Sequence, residues 1–544
     1  MSDWGVRRIT RRRFLTSAIL TGGLVGSAVP TAAPTVTASA AAASQPGPKA
    51  GGILVRATAF EADTLDPART TSGESALIMN NLMDGLVKFA RDSVKVEPSV
   101  AMSWEVSADG KAYTFRLREG VKFHDGTPCD AAAVKFNFDR ILDSKNPFHR
   151  DDMDFAQHDL LGVVQAVEAA NPATLKITLK DSYGPFLNVL ATPYCGFGSP
   201  KAIKADPDGF GSHPVGNGAF KFASWTRKAS LEIVRNENYW DRTAHLDKII
   251  SKYVPESSVR LSEVETGSSH LFDTVGVRDI DRVKSNPQLR LLMVPFPAWA
   301  YVYFNLRLPP MENKKVRQAI CYGVDTEAIV KNLYNGIGKW PDAGPLAPGL
   351  TGYQPGLNPY KYDPVKAKAL LGEAGVGASL KLSMAAYNYE RPYIPAGGGK
   401  VAQAIQADLK KLDIDVDLQV LDSAPFAALR KDAARRPHLL MGGFFDDYPD
   451  QDEFIFYNGE STQTFNRSSW KNDEFDKLVR EARRISDEAK RARLYQQAAK
   501  VWLEDPPQLI INYGVDASVM RKTVQNAFLT PLLMWRFDRV WLSE

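Results

Sequence analysis

AMSWEVSADGKAYTFRLREGVKFHDGTPCDAAAVKFNFDR, residues 101–140, reads as a strand, a tight turn, two more strand segments and a helix. Asp109-Gly110 supplies the turn, because glycine accepts a positive φ and aspartate tolerates it. After it Tyr113, Phe115 and Leu117 alternate with Thr114, Arg116 and Arg118, the period of a half-buried strand. Val121 and Phe123 continue that alternation up to a second turn at Asp125-Gly126. Either Thr127 or Asp130 can cap a helix that turns Val134, Phe138 and Ile141 inward. His124 and Asp125 read as a turn carrying a surface histidine.

The wording of this stretch says more than its periodicity. Ser-Trp, then Asp-Gly, then Tyr-Thr-Phe-x-Leu-Arg, then Gly-Val-x-Phe-His-Asp-Gly-Thr-Pro resembles the signature of the extracellular solute-binding proteins, family 5, the peptide/nickel-type binding proteins of ABC importers. Thr64-Leu65-Asp66-Pro67 is similar to that family's opening. Residues 214–240, PVGNGAFKFASWTRKASLEIVRNENYW, are similar to a second block, with Asn217 in place of the usual Thr and Ala219 in place of Pro. Tyr303-Phe304-Asn305, then Val316-Arg317-Gln318-Ala319-Ile320, then Asp325 make a third.

At 544 residues the chain holds two or three domains with real cores. The formal charge of +4 comes from the first 43 residues, which carry five arginines against one acid; the remainder holds 62 residues of each sign. Nothing there asks for a nucleic-acid partner. Cys129, Cys195 and Cys321 are too few and too far apart for a disulfide framework or a metal site, and read as small buried filler.

The N-terminus reads as an address. Arg11 and Arg12 with Phe14 and Leu15 match the twin-arginine pattern, and a short apolar run follows from Ile19 to Val29. A Sec signal with an unusually basic start is the alternative. Ala38-Ser39-Ala40 offers a cleavage site, with cleavage after Ala43 its rival. No cysteine precedes Cys129, so a freely soluble periplasmic protein is expected rather than a lipoprotein.

Further along, Ile53 opens the first strand and a helix is expected from Ser75 to Leu86. Gly216 and Gly218 mark a turn, since Lys221 stands where a dinucleotide loop needs its third glycine. Asp325 and Asp363 are helix caps, and Pro364 occupies a first turn. Val401, Ile405, Leu409 and Leu412 line a helix, followed by Ile414, Val416, Leu418 and Val420 as a strand. Asp413 sits between them where the family has glycine. Gly397-Gly398-Gly399-Lys400 reads as a flexible loop. One charged helix is expected over Phe475 to Leu503, its Arg and Lys forming a solvated face, stopped by Pro506-Pro507.

Seven scattered histidines include no pair at i and i+4, and there is no G-x-S-x-G elbow, so no catalytic motif, metal or cofactor is called for. The acidic loop Gly442 to Asp450, GGFFDDYPD, is the best binding candidate, because carboxylates beside aromatics suit a ligand ammonium and its apolar parts. An exposed acidic turn is the competing reading. By resemblance, the aspartate that holds a ligand's amino group maps onto Asp447, with Tyr448 beside it. Trp299, Tyr301, Tyr387, Asn388 and Tyr389 lie in stretches that border the cleft in relatives, and each fits a core position as well.

The resemblance implies an α/β, two-lobed periplasmic binding protein fold, type II-like and of cluster C, with an extra α/β subdomain. Its parts would be an export signal peptide over 1–43 and a disordered linker over 44–50. Lobe I would take 51–85, 212–300 and 515–544, the extra subdomain 86–211, and lobe II 301–514. The implied function is capture of a small solute, most simply a peptide or peptide-like compound, in the cleft, and delivery to an inner-membrane ABC permease by a monomer. An exported hydrolase acting on a peptide-like substrate is the reading from another class, and a closed form that addresses a chemoreceptor or acts as a chaperone is a third.

Overall fold

The computed structural model describes residues 47–376, 379–530 and 532–543. Two long antiparallel strands, Leu289–Phe304 and Gln508–Arg521, form its spine. They belong to a ten-stranded sheet and sit in its middle. On one side lie Leu439–Phe445, Leu380–Tyr387 and Ile414–Leu421; on the other lie Leu271–Phe272, Ile53–Thr58, Lys248–Tyr253, Ser230–Arg235 and Phe220–Thr226. The register between the two long strands breaks between Pro295 and Trp299. Pro295 and Pro297 explain the break, since neither has an N–H to give to the ladder. The fold is therefore α/β and two-lobed, each lobe hung on its own side of the two crossing strands.

Residues 101–140 build a separate four-stranded sheet. Ala101–Val106 pairs with Ala112–Leu117, which pairs with Thr174–Leu179 and through it with Val164–Asn171. Gly110 turns the hairpin at φ +70°. The third strand segment expected at Val121 and Phe123 is absent: both side chains are buried, but only a single bridge, Lys122 to Pro128, forms there. Between the turns at Gly120 and Gly126 the chain is too short to run a ladder. Asp130, not Thr127, caps the helix Ala131–Leu142, accepting from the Ala133 N–H at 3.0 Å.

The stretch is also a tie-point for the rest of the chain. Arg140 ends in a buried ion pair with Asp66 of the Thr-Leu-Asp-Pro phrase. His124 is not a surface residue of a turn. Its Nδ1 accepts from the Gly216 N–H at 3.2 Å and its Nε2 meets the Gly218 carbonyl at 3.1 Å, so the ring is neutral, with Nε2 as donor. Burial pushes its pKa down to about 4. Gly216 and Gly218 are small because helix Gly73–Leu82 ends against them: a Cβ at Gly216 would lie 2.1 Å from the Leu82 carbonyl oxygen. Asn217 is fully buried and accepts from the Asp84 N–H at 2.7 Å. Tyr239 and Trp240 both donate to the Asp84 carboxylate, at 2.8 and 3.0 Å. Motifs at 64–67, 101–140 and 214–240 are thus one hydrogen-bonded unit.

The first helix ends at Leu82 rather than Leu86, because Met83 is already extended. In the C-terminal half Asp325 and Asp363 cap their helices by accepting from Ala328 and Lys366 N–H groups. Asp413 makes its turn at φ +61°. The glycine triplet is not a loop. Gly398 begins the helix Gly398–Lys410, and a Cβ there would lie 2.7 Å from the Tyr387 carbonyl oxygen. The charged C-terminal segment is two helices, Asp473–Arg484 and Glu488–Glu504, with Asp487 capping the second. Its arginines are not all solvated, as the candidate site shows. All three cysteines are free and buried. The export residues Arg11, Arg12, Phe14 and Leu15 lie outside the described residues.

Candidate functional site

Strand Leu439–Phe445 delivers the acidic loop at its C-terminal end. Gly442 and Gly443 are glycine because Tyr301 and Tyr393 lie across them: a Cβ would meet those rings at 2.3 and 2.0 Å. Beyond Phe445 the chain turns through Asp446-Asp447-Tyr448-Pro449 into the segment Asp452–Phe456.

Five carboxylates follow one another here, and the fold divides them into two kinds. Asp450 takes both ends of the Arg491 guanidinium, at 2.9 and 2.5 Å, and both residues are buried. Asp452 takes Arg483 at 2.5 Å. These are the arginines of the helices expected to be solvated; Arg483 also lies over the rings of Tyr183, Phe456 and Tyr457.

Asp446, Asp447 and Glu453 form no ion pair among the described residues. Glu453 accepts from the Asp447 and Tyr448 N–H groups at 2.6 and 3.1 Å. Asp446 is buried, and its Oδ2 has no hydrogen-bond partner. Asp447 is half-buried with no side-chain partner among the described residues. Burial raises the pKa of all three; neighbouring carboxylates add to it at Asp446 and Glu453, and the charge of Asp159 adds to it at Asp447, which reaches about 6.

The N-terminal half faces this group. The Tyr194 phenol is raised first by burial and then by Asp447, Asp63 and Glu453, which places all four in one electrostatic neighbourhood. Asp63 already accepts from the hydroxyls of Thr70 and Ser75, at 2.7 and 2.6 Å. The result is a cluster of buried and half-buried carboxyl groups, of which Asp446, Asp447 and Glu453 have no ion-pair partner among the described residues. Such a cluster suits a ligand that brings its own positive charge.

Beside it lies an aromatic wall. Tyr393, under Gly443, meets Phe445 with centroids 6.4 Å apart. Tyr387 stacks on Tyr389 at 4.7 Å, and Arg391 lies 5.1 Å over the Tyr389 ring. Arg391 is exposed and has no carboxylate partner among the described residues. Sequence reasoning passed over it, although a lone cation in Tyr-Asn-Tyr-Glu-Arg-Pro-Tyr was a readable signal.

The structure separates the other candidates. Trp299 and Tyr301 are 0 % and 1 % exposed and stand behind the strand, packed on Phe454, Trp502 and Tyr303. Tyr448 is 1 % exposed; its hydroxyl meets that of Tyr183 at 2.7 Å and donates to Asp452. Asn388 uses its side chain on Asp422, tying a strand end to the start of helix Ser423–Lys431. Of the seven candidates, Asp447 and Tyr389 are the ones left partly exposed besides the engaged Asn388, and Tyr387 stacks on Tyr389. A cavity of about 340 Å³ lined by Gln318, Tyr322, Tyr360, Lys366, Leu503 and Glu504 shares no residue with this site.

Comparison with known proteins agrees with this architecture. Residues 95–466 match the family described as bacterial extracellular solute-binding proteins, family 5 Middle. The dipeptide-binding protein of Escherichia coli is 30% identical over 477 residues, covering 84% of this chain and 88% of its own. Heme-binding protein A of Haemophilus influenzae is 31% identical over 468 residues, covering 82% and 84%. The structure of HbpA2 from Haemophilus parasuis superposes with a TM-score of 0.84 at 28% identity, over 91% of this chain and all of that one. With its hydrogen-bonded motifs and its two lobes joined by crossing strands, the chain belongs to the family 5 bacterial extracellular solute-binding proteins.

Proposed function

We propose that this protein is the periplasmic solute-binding subunit of an ABC importer, and that it holds a peptide or peptide-like zwitterion between its lobes. The ligand's ammonium sits at Asp447, within the field of Asp446 and Glu453, and its carboxylate at Arg391. One observation carries the reading: among the described residues Asp447 is a carboxylate without a cation, and Arg391, over the Tyr389 ring, is a guanidinium without a carboxylate. Each charge is left for a partner from outside. The dipeptide-binding relative supports a peptide-like ligand.

In this reading 51–85, 212–300 and 515–544 form lobe I, 86–211 the extra subdomain and 301–514 lobe II, after a signal peptide at 1–43 and a linker at 44–50. Ligand contacts to both lobes stabilise the closed form, which a monomer presents to the permease. No bond in the ligand is made or broken.

The test is a thermal-shift and calorimetry panel of dipeptides, opines, sugars and metal chelates on protein stripped of ligand. A zwitterionic peptide class should raise the melting temperature, by about 2.7 kcal/mol of stabilisation at a hundredfold excess over Kd. It should be recovered unchanged. A panel in which no zwitterion binds overturns the reading.

A further inference from the structure

The carboxylate end of the site holds a second free guanidinium. Phe426 and Arg430 are four residues apart on the helix Ser423–Lys431, hence on one face. Phe426 packs edge-on against Tyr387, with centroids 5.2 Å apart. Tyr387 in turn stacks on Tyr389, which carries Arg391. The two guanidiniums therefore flank one phenol cluster, one from the helix and one from the loop after strand Leu380–Tyr387.

Arg430 forms no ion pair among the described residues, and its Nε is buried with no hydrogen-bond partner. Tyr387 is only 2 % exposed, and its hydroxyl likewise lacks an aligned partner. The Tyr393 phenol, raised by burial, is pulled back by the charges of Arg391 and then Arg430, so both act at the same hydroxyl. Among the charged neighbours, Glu390 is exposed beside Arg391, Asp422 is engaged by Asn388, and Asp432 accepts from the Ala434 N–H. None of them neutralises this end.

Two cations and two enclosed hydroxyls around one wall are more than a single carboxylate uses. We infer that Arg430 is a second anion-binding residue, and that the preferred ligand carries two carboxylates at its acid end, as a peptide ending in an acidic residue does. Arg391 takes one carboxylate and Arg430 the other, each as a charge-assisted, forked contact. This rests on the zwitterion reading above and narrows it.

The experiment is calorimetric titration of the full mature protein with Ala-Asp against Ala-Asn and Ala-Glu against Ala-Gln. Wild type should bind at least one acidic member about tenfold more tightly than its amide, which corresponds to about 1.4 kcal/mol. Arg430→Gln should abolish that preference, weakening the acidic member by about tenfold more than its amide. Arg430→Lys should restore part of it, by keeping the charge without the fork. Thermal melts establish that each variant is folded. Equal affinity for acid and amide in wild type, or a preference that survives Arg430→Gln, overturns the inference and leaves the zwitterion reading standing. Failure of all four peptides to bind overturns the inference, whereas the zwitterion reading falls only if no zwitterion in the wider panel binds.

Discussion

Arg491 holds Asp450 through two hydrogen bonds of 2.9 and 2.5 Å, with both side chains inaccessible to solvent. Forty-one residues separate them in sequence. The pair anchors the loop that carries Asp447. Replacing one partner leaves a buried charge without compensation, which costs about 3–5 kcal/mol. Asp450→Ala and Arg491→Met should each lower the unfolding free energy by that amount, seen as a lower denaturant midpoint. The double substitution Asp450→Leu with Arg491→Met should be much less harmful than the two singles added together. Additive losses in urea melts would show that the pair is not coupled.

Asp447 behaves differently. It has no side-chain partner among the described residues, so removing its charge relieves desolvation instead of breaking a bond. Asp447→Asn should keep or raise the melting temperature of ligand-free protein at neutral pH. The same change should weaken an ammonium-bearing ligand by about 3–5 kcal/mol, a few hundred-fold to several thousand-fold. Calorimetry and thermal melts on the same variant read both signs. A change in affinity below about twofold would place the ammonium elsewhere.

The raised pKa values of Asp447 and Asp516, each about 6, give a pH dependence. In the folded protein these groups keep a proton that the unfolded chain gives up near pH 4. Ligand-free stability from this source therefore falls as pH rises through about 4 to 6, and melts in that window should show it. Ligand binding runs the other way at Asp447. An ammonium needs the carboxylate, so affinity should rise about tenfold per pH unit up to about 6 and level off above it. Titrations near pH 6 in buffers of different ionisation enthalpy should show a proton released on binding. A flat affinity across this range would remove Asp447 from the contact.

Much of the fold was readable in the sequence because local chemistry dictates it. Asp130, Asp325 and Asp363 cap their helices, and Asp413 turns at positive φ. The family wording could be matched but not explained from sequence. That His124 bonds Gly216 and Gly218, and that Arg140 pairs with Asp66, are relations across about 74–94 residues. The site was half legible for the same reason. An acidic loop is visible as a string of aspartates, but only tertiary structure assigns Asp450 and Asp452 to Arg491 and Arg483, which in sequence look like a solvated helix face. Trp299 and Tyr301 belong to the right strand, yet strand position does not say whether a ring faces cleft or core. Tyr389 was named from its stretch, whereas Arg391, two residues on and proposed here for the ligand carboxylate, was not.

Export is predicted to follow the paired arginines, which twin-arginine translocases read as an address. Arg11→Lys with Arg12→Lys should hold the precursor in the cytoplasm. Fractionation showing normal periplasmic levels of the double variant would favour the Sec alternative.

Closure is expected to depend on Gly184. Tyr183 and Asn188, from the segment after strand Thr174–Leu179, reach the acidic loop: the Tyr183 hydroxyl meets Tyr448 at 2.7 Å and Asn188 donates to the Pro449 carbonyl at 2.8 Å. Between them the Gly184 N–H donates to the Arg483 carbonyl at 2.8 Å. Gly184 lies so close that a Cβ would sit 2.2 Å from the Ile485 carbonyl oxygen and 2.9 Å from Arg491 Nε. A backbone oxygen cannot step aside as the end of a flexible side chain can, so Gly184→Ala should push the segment off the loop. Tyr183→Phe removes one hydroxyl and keeps the packing, and is the mild control. Because this contact adjoins Asp447, Gly184→Ala should shorten the residence time of bound ligand more than it slows association. Small-angle scattering with ligand should show a larger radius of gyration than wild type. Unchanged dissociation and unchanged scattering in Gly184→Ala would mean that this contact takes no part in holding the lobes together.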